Sequence, residues 1–204
     1  DHEQARLIKV MRDSSAVLLR LVDEILDSSK VEAGRVALNL EPTALFELFE
    51  NIVEGILPFA QSRNVEFSLN FDPQLPQRID VDPSRLRQII LNLLTNAIKF
   101  STPRLVGKTW AVSLCLTRDE KDHLLIVVSD NGIGIDVKNH QDIFEPFLQV
   151  ESGAGLDFGG TGLGLSVVYQ LVSKMNGTIK VDSMKGSGAT FEITLPMVIP
   201  EGSV

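Results

Sequence analysis

Asn92, Asn96 and Lys99 stand four and three residues apart, so on a helix they share one face. Two side-chain amides and one ammonium along a single stripe suit Mg²⁺ and phosphate together. An amide oxygen is a hard ligand for Mg²⁺, which takes its other ligands from water and phosphate. Lys99 can neutralise phosphate charge. The same stripe also fits a solvated polar face opposite the apolar set Leu86, Ile89, Ile90, Leu93, Leu94 and Ala97.

A second candidate is Asp130-Asn131-Gly132-Ile133-Gly134, which follows the apolar run 124–129. A carboxylate at a strand end can accept a hydrogen bond from the exocyclic amine of a base. Gly132 and Gly134 let the backbone come close to a flat ring. Asn-Gly is equally a common hairpin turn signal. The third candidate, Gly159-Gly160-Thr161-Gly162-Leu163-Gly164-Leu165, opens a helix. Free amides at a helix N-terminus attract anions. A flexible loop ending in a tight cap would read the same way.

Other stretches fail their tests. Gly107-Lys108-Thr109 resembles the end of a P-loop, but Thr102 stands where that motif needs a glycine, and a strand follows instead of a helix. His2, His123 and His140 lack metal-ligand spacing, and no Cys pair joins them. There is no Gly-x-Ser-x-Gly elbow.

The elements that must position these residues can be read from periodicity. Residues 6–31 read as one long helix, with Leu7, Met11, Ser14, Leu18, Leu21, Ile25 and Ser28 on a heptad seam that wants partner helices. A short strand is predicted over 36–40, a helix over 43–61 and a strand over 65–69. Asp82-Pro83 predicts a helix start, with Asp as N-cap and Pro in the first position, and that helix runs to Phe100. Strands are predicted over 109–117 and 123–130, a short helix over 141–144 and a mobile loop over 150–160. A helix over 162–175 precedes a hairpin of 178–183 and 189–195. Irregular alternation of helices with adjacent strand pairs predicts a two-layer α/β sandwich on a mixed sheet, behind a helical arm.

Bulk composition agrees. The 204 residues are 44% hydrophobic and 23% charged, enough for a packed core, and the net charge of −8 disfavours nucleic acid as a partner. The single Cys115 lies in an apolar run and reads as a buried thiol, which fits a cytosolic setting. No apolar run reaches the roughly 18 to 20 residues of a membrane span.

The order of the motifs says more than any one of them. The asparagine helix, Asp-x-Gly-x-Gly after a strand, Ile143-Phe144-Glu145-Pro146-Phe147, a loop and Gly-Thr-Gly-Leu-Gly-Leu resemble the catalytic domain of sensor histidine kinases, as its N, G1, F and G2 boxes. Gly186-Ser187-Gly188-Ala189-Thr190-Phe191 looks like the family's closing glycine-threonine motif. The likeness covers residues 42–196, and the stretch 25–34 is similar to the end of the second dimerisation helix, as in hybrid kinases.

The resemblance implies a Bergerat-type α/β sandwich over 36–204, with helices on one face of a mixed sheet. It also implies that 1–35 is the second helix of a dimerisation and phosphoacceptor domain whose acceptor histidine is absent. The wider superfamily includes gyrase and mismatch-repair ATPases. The cofactors implied are ATP and Mg²⁺. Asp130 would hold the adenine amine, with Phe100 near the base and Thr190 beside Asp130. Asn92, Asn96 and Lys99 would form the catalytic set, with Asn96 on Mg²⁺, Asn92 supporting it and Lys99 on the phosphates. Gly132, Gly134, Gly160, Thr161, Gly162, Leu163 and Gly164 would line the nucleotide, and Phe144 and Phe147 would border it where the lid begins.

The implied partners are the histidine-bearing domain of the same kinase, a receiver domain or response regulator, and a second copy through the N-terminal helix. The implied location is cytoplasmic, as the soluble part of a membrane-anchored sensor. Two departures stand out. His2-Glu3 continues as Gln4-Ala5-Arg6-Leu7 and not into a Thr-Pro-Leu-like turn, so His2 is no phosphoacceptor and the chain is expected not to phosphorylate itself. The lid stretch 153–158 carries no basic residue, which leaves open a nucleotide-binding or interaction module derived from a kinase. An ATP hydrolase of the superfamily would carry a glutamate at position 92 as general base, where this chain has Asn92.

Overall fold

The computed structural model describes residues 37–101, 109–148 and 162–200. The predicted N-terminal helix, the segment 102–108 and the lid segment 150–160, with Gly160 and Thr161, lie outside the described residues.

The chain opens with a short strand β1 (Glu41–Ala44) and helix α1 (Leu45–Ser62), followed by strands β2 (Val65–Phe71) and β3 (Arg78–Val81). Helix α2 (Pro83–Phe100) leads to the hairpin β4 (Trp110–Arg118) and β5 (His123–Asp130). Two 3-10 turns (Val137–Asn139 and Asp142–Phe144) precede helix α3 (Gly164–Lys174), strand β6 (Thr178–Ser183) and strand β7 (Ala189–Pro196). The main sheet has the order β2-β4-β5-β7-β6, with β2 parallel to β4 and the other neighbours antiparallel. Helices pack on one face of this mixed sheet, as the sequence predicts.

The core forms because one side of each strand and one stripe of each helix are apolar. In β4, Trp110, Val112, Leu114 and Leu116 are buried, and in β5 Leu124, Ile126 and Val128 are. Facing them, α1 buries Leu45, Phe49 and Ile52, and α2 buries Leu86, Ile89, Ile90, Leu93 and Leu94. Among the described residues the second face of the sheet carries no helix, which corrects the reading of Cys115. Its neighbours Leu114 and Leu116 are buried, but Cys115 points to the other face and is half-buried.

The helix that carries the polar stripe is capped as its sequence predicts. Asp82 Oδ1 accepts from Ser84 N at 3.1 Å and Arg85 N at 3.0 Å, and Oδ2 accepts from Asn39 N at 2.9 Å. This second bond accounts for a correction: residues 37–40 form no strand, and Asn39 is tied to the start of α2 instead. The helix predicted from 43 begins at Leu45, because Pro42 and Thr43 pair with Asp80 and Ile79 in the small β1–β3 sheet.

Candidate nucleotide-binding site

Asp130 ends β5 on the helix-facing side of the sheet, in step with Leu124, Ile126 and Val128. Its Oδ1 accepts from Gly132 N at 2.8 Å, so the carboxylate is oriented by its own loop. The loop then docks on the end of α2: Ile133 N donates to the Phe100 carbonyl at 3.2 Å. A Cβ on Gly132 would lie 2.4 Å from that same carbonyl oxygen, so no side chain fits there. Neither Asn131 nor Gly132 has a positive φ, so the pair is not the type I′ hairpin turn that the dipeptide could signal.

The β6–β7 hairpin braces the loop from the other side. Gly186 N donates to Ile133 O at 2.6 Å. The buried Ser183 hydroxyl accepts from Ile135 N at 2.8 Å and donates to Gly188 O at 2.7 Å. Gly134 lies against the Met184 carbonyl, and Gly188 against the Asp130 carbonyl. Sequence reasoning did not single out Ser183. One hydroxyl in a strand that otherwise reads Thr-Ile-Lys-Val-Asp gave only its even spacing from Ile179 and Val181 as a signal that it points inward.

Thr190 is placed differently from the reading above. The register pairs Asp130 with Ala189. Residues directly opposite share a face of the sheet, so Ala189 stands on the side of Asp130 and Thr190 points to the opposite face. There its hydroxyl meets Ser129 Oγ at 3.0 Å.

A second part of the candidate site lies between α2 and the start of α3. Asn92 Nδ2 donates to Gly164 O at 3.4 Å, and a Cβ on Gly164 would lie 3.9 Å from both the Asn92 and Asn96 side-chain amides. The stripe is therefore not a solvated face: two of its members meet the third motif. Gly162 has φ +72°, which a helix cannot use, so α3 starts at Gly164 and not at 162. Leu163 is fully buried and anchors the turn, and among the described residues no side chain caps α3. Phe147 N donates to Gly162 O at 3.1 Å, while the Phe147 ring is exposed. Phe144 turns inward against Tyr169, with ring centroids 5.6 Å apart.

Lys99 Nζ sits 5.0 Å from the centroid of the Phe100 ring. Burial, and then the positive charge of Arg63, hold its pKa below the ordinary 10.5. No cluster of three or more His, Cys, Asp or Glu side chains fit for a metal occurs among the described residues. The donors here are the amides of Asn92 and Asn96, which suit a Mg²⁺ that brings water and phosphate as its remaining ligands.

The fold defines a class, the α/β sandwiches with helices packed on one face of a mixed sheet. Residues 81–199 match the family model of histidine kinase-, DNA gyrase B- and HSP90-like ATPases, and the chain belongs to this family as a histidine kinase-type ATPase domain. It is 39% identical over 196 residues to the circadian input-output histidine kinase CikA of Synechococcus elongatus, covering 95% of this chain and 25% of that protein. It is 36% identical over 192 residues to the sensor histidine kinase RcsC of Escherichia coli, covering 94% of this chain and 20% of that protein. The chain thus spans a quarter or less of the length of these relatives. Among solved structures, full-length ShkA in complex with AMPPNP matches with a TM-score of 0.84 and 30% identity, over 99% of this chain and 40% of that one.

Proposed function

We propose that this chain is the catalytic ATP-binding part of a two-component sensor histidine kinase, and that it passes the γ-phosphoryl group of ATP to a histidine on a phosphoacceptor domain of the same kinase. The observation that carries the reading is Asp130, a carboxylate at a strand end whose orientation is set by the Gly132 amide. It accepts the adenine amine. Lys99 neutralises phosphate charge, and backbone amides at the start of α3 receive phosphate oxygens. Asn96, supported by Asn92, would hold Mg²⁺, which would supply positive charge to stabilise phosphoryl transfer. Asn92 cannot accept a proton, so the site has no base at that position to activate water, and transfer is favoured over hydrolysis.

In this reading the partners are the histidine-bearing domain, a receiver domain, and a second copy through residues 1–35. The location is the cytoplasmic part of a membrane-anchored sensor. No helix among the described residues is long and apolar enough to cross a membrane.

The test is calorimetry of ADP with Mg²⁺. Asp130→Asn is expected to weaken binding about tenfold or more, the loss of one charge-assisted hydrogen bond. Unchanged affinity would remove Asp130 from the site. With γ-labelled ATP, acid-labile phosphate is expected on an added histidine domain and not on His2, His123 or His140 of this chain.

A further inference from the structure

The side chain of Asn131 completes a ladder that the backbone leaves. In an antiparallel pair, hydrogen-bonded residues exchange two N–H···O bonds. The last register pair of β4 and β5 is Val112 with Asp130. One step beyond it, Asn131 N donates to Ala111 O at 3.2 Å. The return bond runs to the side chain: Ala111 N donates to Asn131 Oδ1 at 2.9 Å. Asn131 Nδ2 then donates to Thr109 O at 2.9 Å. A carboxamide has the planar O=C–N arrangement of a peptide, so this side chain stands in for the next peptide unit of the strand.

The substitution has a consequence for the site. Because the side chain serves β4, the backbone is released to turn at Gly132. That turn brings Gly132 N onto Asp130 Oδ1 and Ile133 N onto the Phe100 carbonyl. Aspartate at 131 would keep the acceptor for Ala111 N but set an oxygen against the Thr109 carbonyl. Alanine would serve neither.

We propose that Asn131 is a positioning residue for the nucleotide base: it pins the strand end while the backbone leaves, and so sets the direction of the Asp130 carboxylate. The inference rests on the reading of Asp130 as the adenine acceptor.

The experiment measures ADP and GDP affinities, with Mg²⁺, of the full 204-residue chain and of Asn131→Ala, Asn131→Asp and Asp130→Asn, beside their melting temperatures. Asn131→Ala is expected to weaken ADP about tenfold and GDP little, so that the preference for adenine collapses. Asn131→Asp is isosteric and is expected to show the same narrowing to a smaller extent; it decides the matter should the alanine variant not fold. A loss shared equally by both nucleotides, with the ratio intact, overturns the proposal, because a purely structural role lowers the folded population alike for each. If Asp130→Asn also leaves the ratio intact, the reading of the base site fails and the positioning role with it. If Asp130→Asn narrows the ratio and the Asn131 variants do not, only the positioning role falls.

Discussion

The proposed nucleotide site has a base end and a phosphate end, and the two are held in different ways. At the base end, the loop after Asp130 is bound on three sides: to the end of α2 at Phe100, to the start of β4 through Asn131, and to the β6–β7 hairpin through Ser183 and Gly186. Glycines stand where any Cβ would collide with a carbonyl. At the phosphate end, Phe147 N donates to Gly162 O at 3.1 Å, and the bond from Asn92 to Gly164 O, at 3.4 Å, is close to the limit of a hydrogen bond. A base is recognised by one fixed edge, so its acceptor has to be set before the ligand arrives. Phosphates bring charge and Mg²⁺, which can draw loosely held groups into place. In the proposed reading the base end is ordered by the fold, and the phosphate end is expected to be completed by the ligand.

The largest expected effect tests the rigid end. Gly188 and Gly186 have nearly equal backbone angles, φ +88° and +86°. A Cβ on Gly188 would lie 2.0 Å from the Asp130 carbonyl oxygen, while nothing lies within 4 Å of one on Gly186. Gly186→Ala should therefore cost only the left-handed backbone term, about 1 to 2 kcal/mol, and leave ADP binding intact. Gly188→Ala should cost about 3 kcal/mol or more, since the strand end must shift, and should abolish measurable ADP binding. Denaturant melts and calorimetry on both variants check this. Equal losses would mean that close packing against Asp130 does not hold the site.

The sequence announced the parts of this arrangement whose signals are local. Asp82-Pro83 carries its own capping chemistry, and the apolar stripe of α2 repeats often enough to be read. The strands β1 and β3 were missed because each has four residues and their pairing is to each other, across 34 to 40 positions of chain; β1 also contains Pro42. Thr190 was placed by counting along a motif, when its face depends on cross-strand register with Asp130. Cys115 was read as buried because an unbroken apolar run does not say that, among the described residues, helices cover only one face of the sheet. Motif order pointed to the family and to candidate residues; pleat and register decide which face of the sheet each of them takes.

A pair of polar deletions should separate the ends at intermediate scale. Ser183→Ala leaves Ile135 N without its acceptor in a buried place, and should cost about 1 to 3 kcal/mol of stability. Asn92→Ala breaks one long bond and should cost less than about 1 kcal/mol. The functional order is reversed. Asn92→Ala should reduce the gain in ADP affinity on adding Mg²⁺ by about tenfold or more, while Ser183→Ala keeps that gain. Titrations with and without Mg²⁺ decide it, and a Mg²⁺ response equal in all three proteins would take Asn92 out of the metal's surroundings.

The smallest effect concerns Lys99, whose pKa is lowered in the folded chain by burial first and by the charge of Arg63 second. In the unfolded chain it titrates near 10.5. Between the lowered value and 10.5, the unfolded state carries more of this proton than the folded state. Stability should therefore rise with pH across that window, with the cost of the buried charge fully present below it and gone above it. Arg63→Ala removes the second cause and should shrink the rise, and Lys99→Met should remove it. A phosphate beside Lys99 acts in the opposite sense, because an anion favours the charged amine. ADP binding should then take up a fraction of a proton within the same window. Calorimetry in two buffers of different ionisation enthalpy reads this uptake directly. Uptake that persists in Lys99→Met would assign the proton to another group, and its absence from the parent chain would place the phosphates away from Lys99. Either result would weaken the contrast drawn between the two ends, because the phosphate end would then lack the charge that lets a ligand complete it.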